Sequence, residues 1–156
     1  MKIVAFAATT SRKSINGQLV AYAARLLEDA RPGDVTVEIL DLNDYEMPIF
    51  SIDRENENGI PGAAHDFFDR IGQADAVLIS FAEHNGHYTA AYKNTFDWVS
   101  RIDKRVYQGK PTVMLATAPG PGGGKNVLQA AVTSGRFYGN DVLASLAIPR
   151  FHDHFD

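Results

Sequence analysis

Lys2-Ile3-Val4-Ala5-Phe6-Ala7-Ala8-Thr9-Thr10-Ser11-Arg12-Lys13-Ser14-Ile15-Asn16 runs from a short apolar strand into a loop of hydroxyls and cations, and a helical pattern begins near Asn16. The first strand of an open α/β sheet often ends this way, in a loop that offers backbone N–H groups and a helix N-terminus to an anion. Thr9, Ser11 and Ser14 can donate to phosphate oxygens, and Arg12 or Lys13 can offset the charge. Ser14 or Asn16 would equally well cap the helix with no ligand present. Taken alone, the stretch leaves ligand and cap open.

Downstream, Leu19, Tyr22, Ala23, Leu26, Leu27 and Ala30 recur on one helical face, which Arg31-Pro32-Gly33-Asp34 stops. Val35–Leu40 alternates, with Val35, Val37 and Ile39 on one side, as suits a strand at a sheet edge. Residues 41–60 read as a long connection, and Met47, Ile49 and Phe50 mark it as a packed binding loop or lid. Pro61 opens a helix with the stripe Ala64, Phe67, Phe68, Ile71. Ala74–Phe81 is nearly continuous in apolar residues, as a central parallel strand must be. From Ala90 the chain turns helical, with Tyr92, Thr95, Phe96 and Val99 in one arc, Trp98 at its margin, and Lys93–Asp97 and Asp97–Arg101 as pairs on the wet side. Pro111–Thr117 is a fourth strand. A helix through Val127, Leu128, Ala131 and Gly135 and a fifth strand, Val142–Ile148, complete the series.

Strands alternating with helices imply a parallel sheet between helical layers, and right-handed crossovers leave few topologies. Five strands favour the flavodoxin-like doubly wound order 2-1-3-4-5, with Val35–Leu40 at an edge and residues 1–156 as one domain. The carboxyl ends of the strands then bring three irregular loops together: residues 8–16, 82–90 and 118–125. Gly120-Pro121-Gly122-Gly123-Gly124-Lys125-Asn126 is no nucleotide P-loop, since Pro119 stands at its first glycine and Asn126 at its hydroxyl. The first turn also lacks the glycine fingerprint of a dinucleotide fold. A net charge of -4 with no basic cluster argues against nucleic acid and anionic membranes as partners. The absence of cysteine excludes thiolate catalysis, disulfides and cysteine-held metals. No signal-like or membrane-spanning stretch stands out, so a cytoplasmic protein is expected. The pairs His84/His87 and His152/His154 lack ligand geometry, and no metal site is expected.

Together the three loops resemble the NADPH-dependent FMN reductase family, which includes flavodoxin-like quinone, chromate and azo reductases. Ala8-Thr9-Thr10-Ser11-Arg12-Lys13-Ser14-Ile15-Asn16 is similar to its G-S-x-x-x-x-S-x-N loop. Ala82-Glu83-His84-Asn85 and Tyr92-Lys93-Asn94-Thr95-Phe96-Asp97-Trp98 are similar to P-E-Y-N and L-K-N-x-x-D-W, and Ala118-Pro119-Gly120-Pro121-Gly122-Gly123-Gly124 to S-P-G-x-x-G-G. The resemblance implies an oxidoreductase with FMN as cofactor and NADPH or NADH as co-substrate. It implies a small acceptor (a quinone, flavin, azo compound or metal oxyanion) and a homodimer or tetramer. Thr9, Ser11, Arg12, Ser14, Ile15 and Asn16 would hold the FMN phosphate. Glu83, His84, Asn85 and Gly86 would line one edge of the ring, and Pro119, Gly120, Gly122 and Gly123 another. No side chain is expected to act as a catalytic acid or base, because the flavin carries the chemistry. The alternative is a non-enzymatic flavodoxin-type electron carrier. The chain departs from the family at Ala8 (a glycine), at His84 (a tyrosine), and after the fifth strand, where the family continues into a further helix. Val142–Ile148 is therefore expected to need cover on one side, from further chain or from a partner, while His152-Asp153-His154 reads as a solvated stretch.

Overall fold

In the computed structural model, which describes residues 1–155, five parallel strands stand in the order β2-β1-β3-β4-β5. They are β1 (Lys2–Ala7), β2 (Thr36–Leu40), β3 (Ala76–Phe81), β4 (Lys110–Thr117) and β5 (Asn140–Ile148), joined through α1 (Ile15–Ala30), α2 (Ile52–Asn58), α3 (Gly62–Gly72), α4 (Ala90–Ile102) and α5 (Lys125–Gly135). This is the flavodoxin-like doubly wound order. Its central strands are the apolar ones: Val4, Ala5 and Phe6 in β1 and Ile79, Ser80 and Phe81 in β3 are all fully buried. The half-polar β2 lies at an edge, where Ile39 is 52% exposed and Leu40 turns inward at 8%.

One face of the sheet is closed by α3, α4 and α5. Phe6, Phe67, Ile79, Phe81, Tyr92 and Trp98 form its centre, with Phe6 edge-on to Phe67 and Phe81 edge-on to Tyr92. Trp98, at the margin of its helical arc in sequence, is core at 1% exposure. The hydroxyls of Tyr92 and Tyr107 meet inside this layer. Burial drives both phenols well above the ordinary tyrosine pKa, because a phenolate there would lose its hydration.

The other face carries α1 alone, with Leu19 and Val20 set on Ile3, Ala5, Leu78 and Leu115. In the tail His152, Asp153 and His154 are exposed, while the two phenylalanines beside them turn inward. Phe151 is buried, stacks on Phe155 with ring centres 4.6 Å apart, and Phe155 meets Tyr22 edge-on. The tail covers the upper part of β5 and leaves the lower part open. A register shift between Thr112 and Val113 makes Leu143 an extra residue in β5. Leu143 therefore joins Leu146 on the open side, at 66% and 57% exposure. A groove of about 310 Å³ runs there between Leu26, Leu27, Val113, Leu115 and Leu143.

The 41–60 connection is more ordered than its sequence implies. It holds a 3₁₀ turn at Leu42–Tyr45 and the short helix α2, capped by the Ser51 hydroxyl. One stripe of α4 keeps it in place. The Asn94 amide bonds Met47 O, Pro48 O and Phe50 N, and Trp98 Nε1 donates to Pro48 O at 2.7 Å. Arg101 pairs with Glu55 of α2 and not with Asp97, which takes Lys93 instead.

Candidate functional site

The three loops meet at the carboxyl ends of β1, β3 and β4. The first leaves β1 at Ala8 and reaches α1 through Ser14, whose Oγ accepts the N–H groups of Asn16 and Gly17. That satisfies two of the four orphan donors of the helix. Among the described residues the N–H groups of Arg12, Lys13 and Ile15 donate to no protein acceptor. Ser11, Arg12 and Lys13 are exposed around them. Hydroxyl, cations, free N–H groups and the positive end of a helix dipole share one small concavity, which is the chemistry an anion requires.

Two residues expected on an anion turn inward. Asn16 is 2% exposed; its Oδ1 accepts Ser80 Oγ–H at 2.7 Å and Thr117 N–H at 3.0 Å, and its Nδ2 donates to Thr117 O. Its side chain thus ties α1 to β3 and β4 beneath the loop. Thr9 is 7% exposed, and its Oγ1 accepts the Ser11 N–H, shaping the loop from inside. Outside the loop lies a cleft of about 360 Å³ lined in part by Ser11, Arg12, Lys13 and Asp41. The Asn43 N–H bond, aided by Arg12, holds the Asp41 carboxyl below the usual carboxylate range.

The second loop is a tight hairpin. His84 and His87 exchange two backbone hydrogen bonds, of 3.0 and 3.1 Å, and Asn85 and Gly86 both have positive φ, 52° and 80°. That is the type I′ turn, which the Asn-Gly pair suits because both central residues tolerate the left-handed region. His84, Asn85 and Gly86 are exposed at its tip. Thr89 closes the loop: its Oγ1 accepts Tyr92 N–H as the cap of α4 and donates to Ala8 O at 2.9 Å, joining the second loop to the first. Glu83 turns toward α5, its Oε2 accepting Val127 N–H at 2.9 Å.

The third loop is braced by the tail. Arg150 N–H donates to Gly120 O at 3.0 Å and Phe151 N–H to Ala118 O at 3.1 Å. Gly123 (φ 60°) is buried against this brace, and a Cβ there would stand 2.7 Å from Pro149 N. Pro119 and Gly122 are exposed. Thr89, Ser80 and Thr117, which hold the three loops together, carry only weak sequence signals: a hydroxyl just before a helix, and hydroxyls inside otherwise apolar strands. Among the described residues no group of three metal-ligating side chains is assembled, and no helix is long and apolar enough to cross a membrane.

A doubly wound sheet whose first turn offers free N–H groups, with two glycine-bearing loops beside it, defines a flavodoxin-like fold. The chain belongs to the NADPH-dependent FMN reductase family, which it matches over residues 1–153. It is 30% identical over 127 residues to a protein named probable NADPH:quinone oxidoreductase 1 of Oryza sativa subsp. japonica, an alignment covering 81% of this chain and 62% of that one. The chain spans about three fifths of the length of the curated relatives it matches. Among solved structures it resembles azoreductase AzrA (TM-score 0.77, 16% identity, 98% of this chain and 90% of that one). An FMN-dependent NADH-azoreductase of Bacillus anthracis, solved in complex with FMN, gives a TM-score of 0.71 at 11% identity over 100% and 90% of the two chains. At these identities the likeness is one of fold.

Proposed function

We propose that this chain binds FMN along the rim and acts as an NAD(P)H-dependent oxidoreductase that reduces a small acceptor of the quinone type. The observation that carries the reading is the convergence of the three loops, with unpartnered N–H groups and two cations at the end where a phosphate belongs. Family membership and the relatives named quinone oxidoreductases support it. Ser11, Arg12, Lys13 and the N–H groups of Arg12, Lys13 and Ile15 would hold the phosphate, with Ser14, Thr9 and Asn16 shaping the loop. Glu83–Gly86 and Pro119–Gly123 would flank the ring. When bound, FMN supplies the two-electron chemistry, taking hydride from the nicotinamide and passing the pair to the acceptor. The protein's part is to orient the ring and to present N–H groups where negative charge grows on reduction. A homodimer or tetramer in the cytoplasm belongs to the same proposal, and sedimentation of the purified protein tests the assembly.

Anaerobic addition of NADPH to the FMN-saturated protein, followed by flavin absorbance, tests the chemistry. Rapid bleaching, reversed by a benzoquinone, is expected. A yellow protein that neither NADPH nor NADH bleaches would point to a one-electron carrier instead, and a protein that fails to bind FMN would overturn both.

A further inference from the structure

The start of α5 lacks a cap of its own. Gly124 stands at the cap position in the left-handed region (φ 76°) and has no side chain to accept an orphan N–H. The acceptor comes from 44 residues away, as Glu83 Oε2 on Val127 N–H at 2.9 Å. Glu83 belongs to the second loop, and Gly124 ends the third. The other ties lead elsewhere: Thr89 joins the second loop to the first, and Arg150 and Phe151 join the third to the tail.

We infer that Glu83 is a positioning residue whose carboxylate, lodged on the α5 N-terminus, sets the spacing between the second and third loops and offsets the positive end of that helix beside the ring they flank. The inference rests on the proposed FMN site. A free carboxylate at the ring's edge would oppose the negative charge that the ring gains on reduction. Placed on a helix N-terminus, that carboxylate meets the positive end of the dipole and receives a charge-assisted hydrogen bond. One contact both joins the loops and offsets the charge. Glutamine at this position retains an acceptor for Val127 N–H but removes the negative charge, so the two roles separate.

Two variants and two readouts decide it. In the protein without FMN, Glu83→Ala accelerates amide hydrogen exchange at Val127 about tenfold, as the loss of a charge-assisted bond requires, while Glu83→Gln keeps most of the protection. With FMN, Glu83→Ala weakens flavin binding about tenfold. Glu83→Gln binds FMN like the parent but raises the flavin midpoint potential, because the helix dipole is then unopposed. A spacer without an electrostatic role leaves that potential unmoved, so an unchanged Glu83→Gln potential overturns the offset of the helix dipole. Unchanged Val127 exchange in Glu83→Ala overturns the tie itself. A parent protein that binds no FMN sinks the functional proposal alone, since the exchange comparison still decides whether Glu83 joins the loops.

Discussion

The two faces of the sheet are built to different standards. Under α3, α4 and α5 the layer is aromatic and closed, and Phe6, Phe81 and Trp98 are at most 1% exposed. On the α1 side the upper half is closed by Phe151 and Phe155, while Leu26, Leu27, Leu143 and Leu146 remain between 37% and 66% exposed. A parallel sheet ordinarily buries both faces. The contrast separates the part of the apolar sequence that holds this chain together from the part that is left available at the surface.

Substitutions on the two faces test this difference, and the largest effect is expected at Phe6. Phe6→Ala costs about 3–5 kcal/mol by chemical denaturation, because its pocket in the middle of a sheet cannot collapse. Leu146→Ser stays within about 0.5 kcal/mol. Equal losses would mean that the open face is closed in solution, and the contrast would fail.

The tyrosine pair is expected to produce the next largest effect. Tyr92 and Tyr107 have folded pKa values raised above the unfolded value, so their contribution is complete below about pH 10 and declines as pH rises further. The slope is about 1.4 kcal/mol per group for each pH unit beyond that point. Of the six tyrosines, these two should ionise only with unfolding, read as a late step in phenolate absorbance. Early titration of all six would show the closed layer to be wet.

A smaller gain, of opposite sign, is expected at Asn140, which is 8% exposed and has both amide atoms without a partner among the described residues. It lies where α5 meets β5, beside Gly135 and Met114. Asn140→Leu is expected to raise stability by about 1 kcal/mol, since a near-isosteric apolar group removes an unmet desolvation cost. A loss would show that the amide finds a partner in solution.

The strand order was readable because burial leaves a direct trace in composition: β3 is apolar but for Ser80, and β2 is half polar. Helix α2 left no such trace. Its residues Ile52-Asp53-Arg54-Glu55-Asn56-Glu57-Asn58 bury none of their number, and it forms on a Ser51 cap, early acidic residues and the Glu55–Arg101 pair. At the rim, residue types identified the three loops, but the direction of a side chain depends on partners far along the chain. Asn16 points inward because Ser80 and Thr117 wait there, 64 and 101 residues on. Phe151 and Phe155 left no signal for the same reason: they carry no periodic pattern, and they pack in the layer that α1 and β4 share.

The brace on the third loop also fixes an order of events during biosynthesis. A ribosome delivers the turn at residues 8–16 before the hairpin at Asn85-Gly86, and both before the third loop. The loop at 118–124 emerges without its supports, because the donors for Ala118 O and Gly120 O lie at residues 151 and 150. A nascent chain therefore carries an unfinished third loop until residues 150 and 151 have left the exit tunnel, well after the first two loops have done so.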